Sequence, residues 1–202
     1  MKIYHVTWVT HNSRVSERMR KYGIGKYLIP IILNETEEIE ITEYILEMVI
    51  EDKLKIVAYN ICKDHIHLII VCDENSLEKI VQKLKAVSAR KFNIAHGFTI
   101  PVVELKSLHN ETIEQGSMLP CSDEGVEVEK KMLPCSKKKS RGKAQNQLWA
   151  QKFNQYEVIS EEQLLNTYNY VMNNRIKHNL PRSKELEIII QKMITPLERI
   201  YK

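Results

Sequence analysis

The chain has no apolar run long enough to cross a bilayer, no CxxC pair and no dominant charge sign among its 202 residues. The first absence removes a membrane-spanning helix, and with it any membrane partner, from the expectation. Met1-Lys2-Ile3-Tyr4 leads directly into strand-like sequence, so no signal peptide is expected. The four cysteines are Cys62, Cys72, Cys121 and Cys135. Their spacing argues against a structural zinc site, and a reducing cytosol suits them best. The 30 Lys and Arg against 26 Asp and Glu leave a formal charge of +4 and a pI near 8.7. That balance is compatible with a phosphate-rich partner without demanding one.

What is present is a core-forming chain, 43% hydrophobic. Ile3 to Thr10 alternates as a first strand, and Glu35 to Glu51 carries a helical stripe of Ile41, Tyr44, Ile45, Met48 and Val49. Leu54 to Cys62 and His65 to Cys72 read as strands joined by Lys63-Asp64, short enough for an antiparallel hairpin. Ser76 to Ala95 reads as an amphipathic helix. Leu148 to Phe153 reads as a further short strand or extended segment. Ser160 with Gln163 forms a capping-box pattern opening a helix from Glu161 to about Asn179. A last helix runs from about Ser183 to Ile194. This order predicts an α+β fold, a ferredoxin-like sandwich with an antiparallel sheet, helices on one face, and additional C-terminal helices. The expected organisation is one domain over 1–180 and a helical tail over 181–202.

The stretch from about 106 to 146 interrupts that domain. It holds three of the six glycines, and Met118-Leu119-Pro120-Cys121-Ser122 recurs as Met132-Leu133-Pro134-Cys135-Ser136. An inserted, flexible segment is expected there, and the repeat reads as a small tandem duplication rather than a cysteine switch.

Asp64-His65-Ile66-His67-Leu68-Ile69-Ile70-Val71 is the most informative stretch. Strand geometry sends both imidazoles to one face, roughly 6–7 Å apart, while Ile66, Leu68 and Ile70 face a core. Such a pair can bind one divalent ion, or be two ordinary structural histidines. A second element lies about a hundred residues later. On the helix from Glu161, Tyr168 falls on the stripe with Leu164, Leu165, Val171 and Met172. Tyr170 falls on the opposite face with Asn166, Asn173, Asn174 and Lys177. That face is either a solvated surface or a site. If it meets the histidines, a phenol could attack phosphorus at a metal-polarised phosphate, and Asn174 could supply a third ligand.

These elements resemble the HUH single-strand DNA transposases with one catalytic tyrosine, the group of insertion-sequence and REP-associated tyrosine transposases. The resemblance is carried by Tyr4-His5-Val6-Thr7-Trp8-Val9-Thr10, Asp64-His65-Ile66-His67-Leu68, Leu148-Trp149-Ala150-Gln151-Lys152-Phe153 and Tyr170-Val171-Met172-Asn173-Asn174. It implies a ferredoxin-like fold, and Mg²⁺ or Mn²⁺ held by His65, His67 and Asn174. It implies Tyr170 as the nucleophile in single-stranded DNA nicking and joining beside a hairpin, through a 5′-phosphotyrosine. A homodimer and a cytoplasmic, prokaryotic setting, nucleoid-associated when bound to DNA, are implied as well. REP-associated members commonly carry Pro after this Asn, where the present chain has Arg175.

Single-stranded DNA needs cations for its backbone. The candidates are Lys83, Arg90 and Lys91 on the second helix, and Lys137, Lys138, Lys139, Arg141 and Lys143 in the insertion. Arg175 and Lys177 lie beside the tyrosine. Trp8 and Trp149 are expected in the core, and His5 is a reserve ligand. The alternatives are a domesticated hairpin-binding nuclease and a non-catalytic ferredoxin-like module that binds nucleic acid.

Overall fold

Sequence alternation divides the sheet into two chemically different faces, and the computed structural model shows where each is covered. It describes residues 1–14, 21–23, 29–98 and 147–196. The elements are β1 (Lys2–Val9), α1 (Glu35–Glu51), β2 (Lys55–Cys62), β3 (His65–Cys72), α2 (Glu74–Ala95), β4 (Asn154–Val158), α3 (Glu161–Met172), the single turn α4 (Asn174–Lys177) and α5 (Lys184–Met193). The four strands form one antiparallel sheet in the order β2-β3-β1-β4. With a helix between β1 and β2 and another between β3 and β4, this is the ferredoxin-like arrangement.

β3 occupies the middle of the sheet and is buried along its whole length. Its Ile66, Leu68 and Ile70 join Tyr4, Val6 and Trp8 of β1 and the apolar stripes of α1 and α2 in the main core. Each aliphatic side chain fully buried there contributes about 1.5–3 kcal/mol. α5 sends Leu186, Ile190 and Met193 into this same core, so the C-terminal helix expected as a tail is packed against α1. Its start is fixed by Ser183, whose hydroxyl accepts from the Leu186 amide.

The second face carries a smaller core in which Ile69 and Val71 of β3 meet Leu164 and Val171 of α3. Helices therefore cover both faces. α1, α2 and α5 lie on one, and α3 lies on the other. Ser160 caps α3 by accepting from the Gln163 amide, while the Gln163 side chain reaches the Ile159 amide instead of the Ser160 amide of a strict capping box.

Two boundaries differ from the sequence reading. Of the two alternatives for Leu148 to Phe153, short strand or extended segment, the strand does not form. Trp149 makes a lone bridge to Thr10, and the buried Lys85 donates to the Ala150 and Gln151 carbonyls at 2.8 and 2.9 Å. The edge strand is the more polar Asn154–Val158. The helix expected to reach Asn179 is interrupted at Asn173, whose backbone (φ −92°, ψ 6°) separates α3 from α4. The inserted segment and its duplicated pentapeptide lie outside the described residues.

Candidate active site

The site begins with register. β1 and β3 pair so that Thr7 lies opposite His67, and β2 and β3 pair so that Asn60 lies opposite His67. Alternation puts His5, Thr7, His65 and His67 on the face covered by α3. At this end of the sheet the small apolar core gives way to polar side chains.

His65 and His67 stand edge to face, with ring centroids 5.0 Å apart. The Asp64 carboxylate accepts from His65 Nδ1 at 2.6 Å, which leaves Nε2 as the lone-pair nitrogen. That nitrogen is met by Asn174 Nδ2 at 2.8 Å. His67 uses Nδ1 toward Thr7 Oγ1 at 2.9 Å and His5 Nε2 at 3.0 Å, so its remaining nitrogen is Nε2. His5 stacks on His67 at 5.1 Å with an interplanar angle of 11°. Burial depresses the imidazole pKa of His5 to about 4 and that of His67 to about 3, with the charges of His65 and His5 adding to the effect at His67. Both rings are neutral at neutral pH, the form that offers a lone pair. The hydrogen bond from His65 holds the Asp64 carboxyl below its ordinary range.

Tyr170 comes to this cluster from α3 of the same chain. Its ring lies edge-on to His67 with centroids 5.2 Å apart, and 6.3 Å from His5. Lys177 places Nζ 4.7 Å from the Tyr170 centroid, a cation–π contact. Tyr170 is 40% exposed, whereas the next residue, Val171, is fully buried. Tyr168 packs on the small core, on the stripe expected for it.

Asn174 arrives by a different route from the continuous helix face, shared with Tyr170, on which the sequence placed it. The interruption at Asn173 turns its side chain inward, and it is fully buried. Asn60 holds the interruption by donating Nδ2–H to the Val171 carbonyl at 2.7 Å, a group that a helix end leaves short of partners. Arg175 holds the next turn. It donates to Glu38 at 2.5 Å, to the Ile61 carbonyl at 3.0 Å and to the Pro181 carbonyl.

The donors suited to a cation are thus two imidazole nitrogens and an amide. Asn174 Oδ1 is buried with no hydrogen-bond partner, an acceptor with nothing to accept from. Two features weigh on the other side. The His65 and His67 side chains are only 1% and 5% exposed, with His178 lying 4.9 Å from His65. Among the described residues, no group of three His, Cys, Asp or Glu is arranged to hold a metal ion.

The cations expected to meet DNA are spread over the molecule. Lys177 stands at the tyrosine. Arg175 is beside the site but is engaged with Glu38 and two carbonyls. Lys83, Arg90 and Lys91 lie on α2, across the sheet from the histidines, with Lys83 paired to Asp52 and Lys91 to Glu47. Lys137, Lys138, Lys139, Arg141 and Lys143 lie outside the described residues. Thr7, Asn60, Tyr156 and His178 were not singled out from sequence. Period-two alternation along β1 and β2 carries a signal for the first two, since both share the histidines' face once the register is known.

A family model described as "Transposase IS200 like" matches residues 23–99, which contain the histidine pair but neither Tyr170 nor Asn174. No curated protein matches the chain. Among solved structures, a REP-associated tyrosine transposase bound to a REP hairpin is similar at 12% identity, covering 89% of this chain and 70% of its own, with a TM-score of 0.42. A candidate transposase from Deinococcus radiodurans R1 is similar at 16% identity, covering 85% of this chain and 88% of its own, with a TM-score of 0.37. The stretch from 23 to 99, with its paired histidines, is thus similar to the IS200-like transposases over somewhat more than a third of the chain.

Proposed function

We propose that this chain is a DNA transposase that nicks and rejoins single strands through Tyr170, assisted by a divalent cation at His65, His67 and Asn174. The observation that carries the reading is the meeting of Tyr170 with His67 at 5.2 Å, beside the His65–Asn174 contact. A phenol, two imidazoles and an unpartnered amide oxygen share one corner of the sheet.

The chemistry follows from these groups. Tyr170 Oη attacks phosphorus, the bond to the 3′-oxygen breaks, and the phenolic proton ends on that leaving oxygen. The products are a 5′-phosphotyrosine and a free 3′-hydroxyl. Attack by a 3′-hydroxyl on the phosphotyrosine reverses the exchange and joins strands. A bound cation would polarise the phosphate and stabilise charge developing on its oxygens. Asp64 fixes the His65 tautomer, as Thr7 and His5 help orient His67, the usual role of partners behind metal-binding imidazoles. Asn174 would hold the ion through Oδ1, with its amide turned from the present arrangement in which Nδ2 faces His65. Imidazole favours the transition metals and amide oxygen suits harder ions, so the mixed set fits Mn²⁺ better than Mg²⁺. Lys177, whose Nζ lies over the tyrosine ring, would meet the substrate phosphate. DNA carrying a hairpin is the proposed substrate. A homodimer stays part of the proposal, although Tyr170 reaches the histidines of its own chain.

A second reading, a binding module with structural histidines, is favoured by the depth of the histidine pair and the direct His65–Asn174 bond. Denaturing gels separate the two. With Mn²⁺ and hairpin-bearing single strands, the wild type and Tyr168→Phe are expected to form a covalent protein–DNA adduct, and Tyr170→Phe is not. An adduct that survives in Tyr170→Phe removes the proposed nucleophile. Hairpin binding by the wild type without any adduct favours the module.

A further inference from the structure

An open cleft of about 490 Å³ lies on the solvent side of Tyr170, between β4 and the first turns of α3. Tyr156, Glu162, Gln163, Asn166, Thr167 and Tyr170 line it, together with Ser160, whose hydroxyl already accepts from the Gln163 amide. We propose that this cleft receives a nucleobase flanking the scissile phosphate and reads its identity, an inference that rests on Tyr170 being the nucleophile.

Chemistry selects the occupant. Among the described residues the lining contains no Lys or Arg, and it contains a carboxylate. Phosphate recognition calls for cations or bare amide donors, and Glu162 repels an anion, so the sugar–phosphate backbone is a poor guest. A base is a good one. Tyr156 offers a ring that is 44% exposed yet held in place, edge-on to His5 at 4.8 Å, with its hydroxyl 3.5 Å from Thr167 Oγ1. Unstacked bases settle on such rings. Asn166 is exposed on the same helix, one turn before Tyr170. Its amide offers both donors and an acceptor, the complement of an adenine edge, and Glu162 can accept from an exocyclic amino group. Gln163 is less available because its side-chain oxygen already accepts from the Ile159 amide at 3.0 Å. Tyr170 lines the cleft as well as facing His67, so a strand that presents phosphorus to the phenol carries its neighbouring nucleotide into the cleft. Among the described residues no strand pairs with the outer edge of β4, which leaves that side of the sheet to an extended strand.

The test uses the full chain, Mn²⁺ and a pool of single strands with randomised nucleotides beside a fixed hairpin. Both product fragments, the Tyr-linked strand and the released 3′-hydroxyl strand, are sequenced. The wild type is expected to show a base preference at one nucleotide flanking the cut. Asn166→Ala should flatten that preference at least fivefold at that nucleotide, and Tyr156→Ala should lower adduct yield where Tyr156→Phe retains it. Leu165→Ala, exposed on the same helix outside the cleft, should leave the preference as in the wild type. An unchanged preference in Asn166→Ala, or the same loss in Leu165→Ala, overturns the base-reading cleft while leaving the nucleophile intact. Absence of adducts from the wild type overturns the transposase reading itself, and the cleft with it.

Discussion

Replacing Arg175 with Met tests whether the turn carrying Asn174 is held by a buried ion pair. The guanidinium side chain is 12% exposed and Glu38 only 2%. Removing the cation strands a carboxylate in the interior, and breaking a pair of this kind costs about 3–5 kcal/mol. For a chain of this size that corresponds to a fall in Tm of about 6–20 °C. Burial already holds the Glu38 carboxyl above its ordinary range despite the lowering effect of Arg175. Without the guanidinium it rises further. A carboxyl whose folded pKa exceeds its unfolded value destabilises the protein above that folded pKa, and the penalty lifts as pH falls through it. The deficit of Arg175→Met relative to wild type should therefore shrink on acidification. Adding Glu38→Leu should restore most of the loss but not all, because the Ile61 and Pro181 carbonyls still lack their donor. Urea unfolding of the four proteins, with m-values compared, closes the double-mutant cycle. A loss below about 1 kcal/mol in the single variant, or a double variant no better than the single, would refute the argument and return Arg175 to the pool of free cations available to DNA.

Two further outcomes concern the histidines. Asp64→Asn removes the carboxylate behind His65 and should weaken Mn²⁺ binding about 10–100-fold by calorimetry, with the fold retained; unchanged affinity would mean that His65 is not a ligand. The depressed pKa values of His5 and His67, about 4 and about 3, set an acid limit on stability. Above pH ~6.5 both rings are neutral whether the chain is folded or not. Below it the unfolded chain takes up protons first, so stability falls from pH ~6.5 toward pH ~3, at up to about 1.4 kcal/mol per pH unit for each such ring. His5→Phe should reduce that slope in urea titrations at stepped pH, and an identical slope would count against burial as the cause.

The parts of the fold legible from sequence were those written in local periodicity. The β2–β3 hairpin around Lys63-Asp64, the stripes of α1 and α2 and the alternation of β1 all concern neighbours a few positions apart. The displaced β4 shows where local pattern misleads. Leu148 to Phe153 has the apolar and aromatic content of a strand, but its Ala150 and Gln151 carbonyls go to Lys85, whereas Asn154–Val158 is half-exposed because it forms an edge. The interruption at Asn173 has no Gly or Pro to announce it. The Asn60 donor that takes the Val171 carbonyl lies 111 residues away in sequence. Arg175 was read as a free cation for the same reason, since nothing local reveals a partner 137 positions earlier. Residue identities at the site were visible as a pattern. The inward turn of Asn174, and the Tyr156 side of the cleft, belong to long-range packing.

The two ends of β3 explain why Tyr170 and the histidines can share a corner without a loop to bring them together. Ile69 and Val71 form the bed on which Leu164 and Val171 dock α3, while His65 and His67 continue the same row of side chains toward the turn. Docking by Val171, fully buried, fixes the rotation of α3. Tyr170, one residue and about 100° away, must then stand at the rim of the packed patch over the polar end of that row. The apolar contacts of the second face therefore do two things at once, since they stabilise α3 and set where its phenol lies. Substitutions that loosen Val171 should disturb the Tyr170–His67 contact before they unfold the main core, because that core lies across the sheet and shares no side chain with the small one.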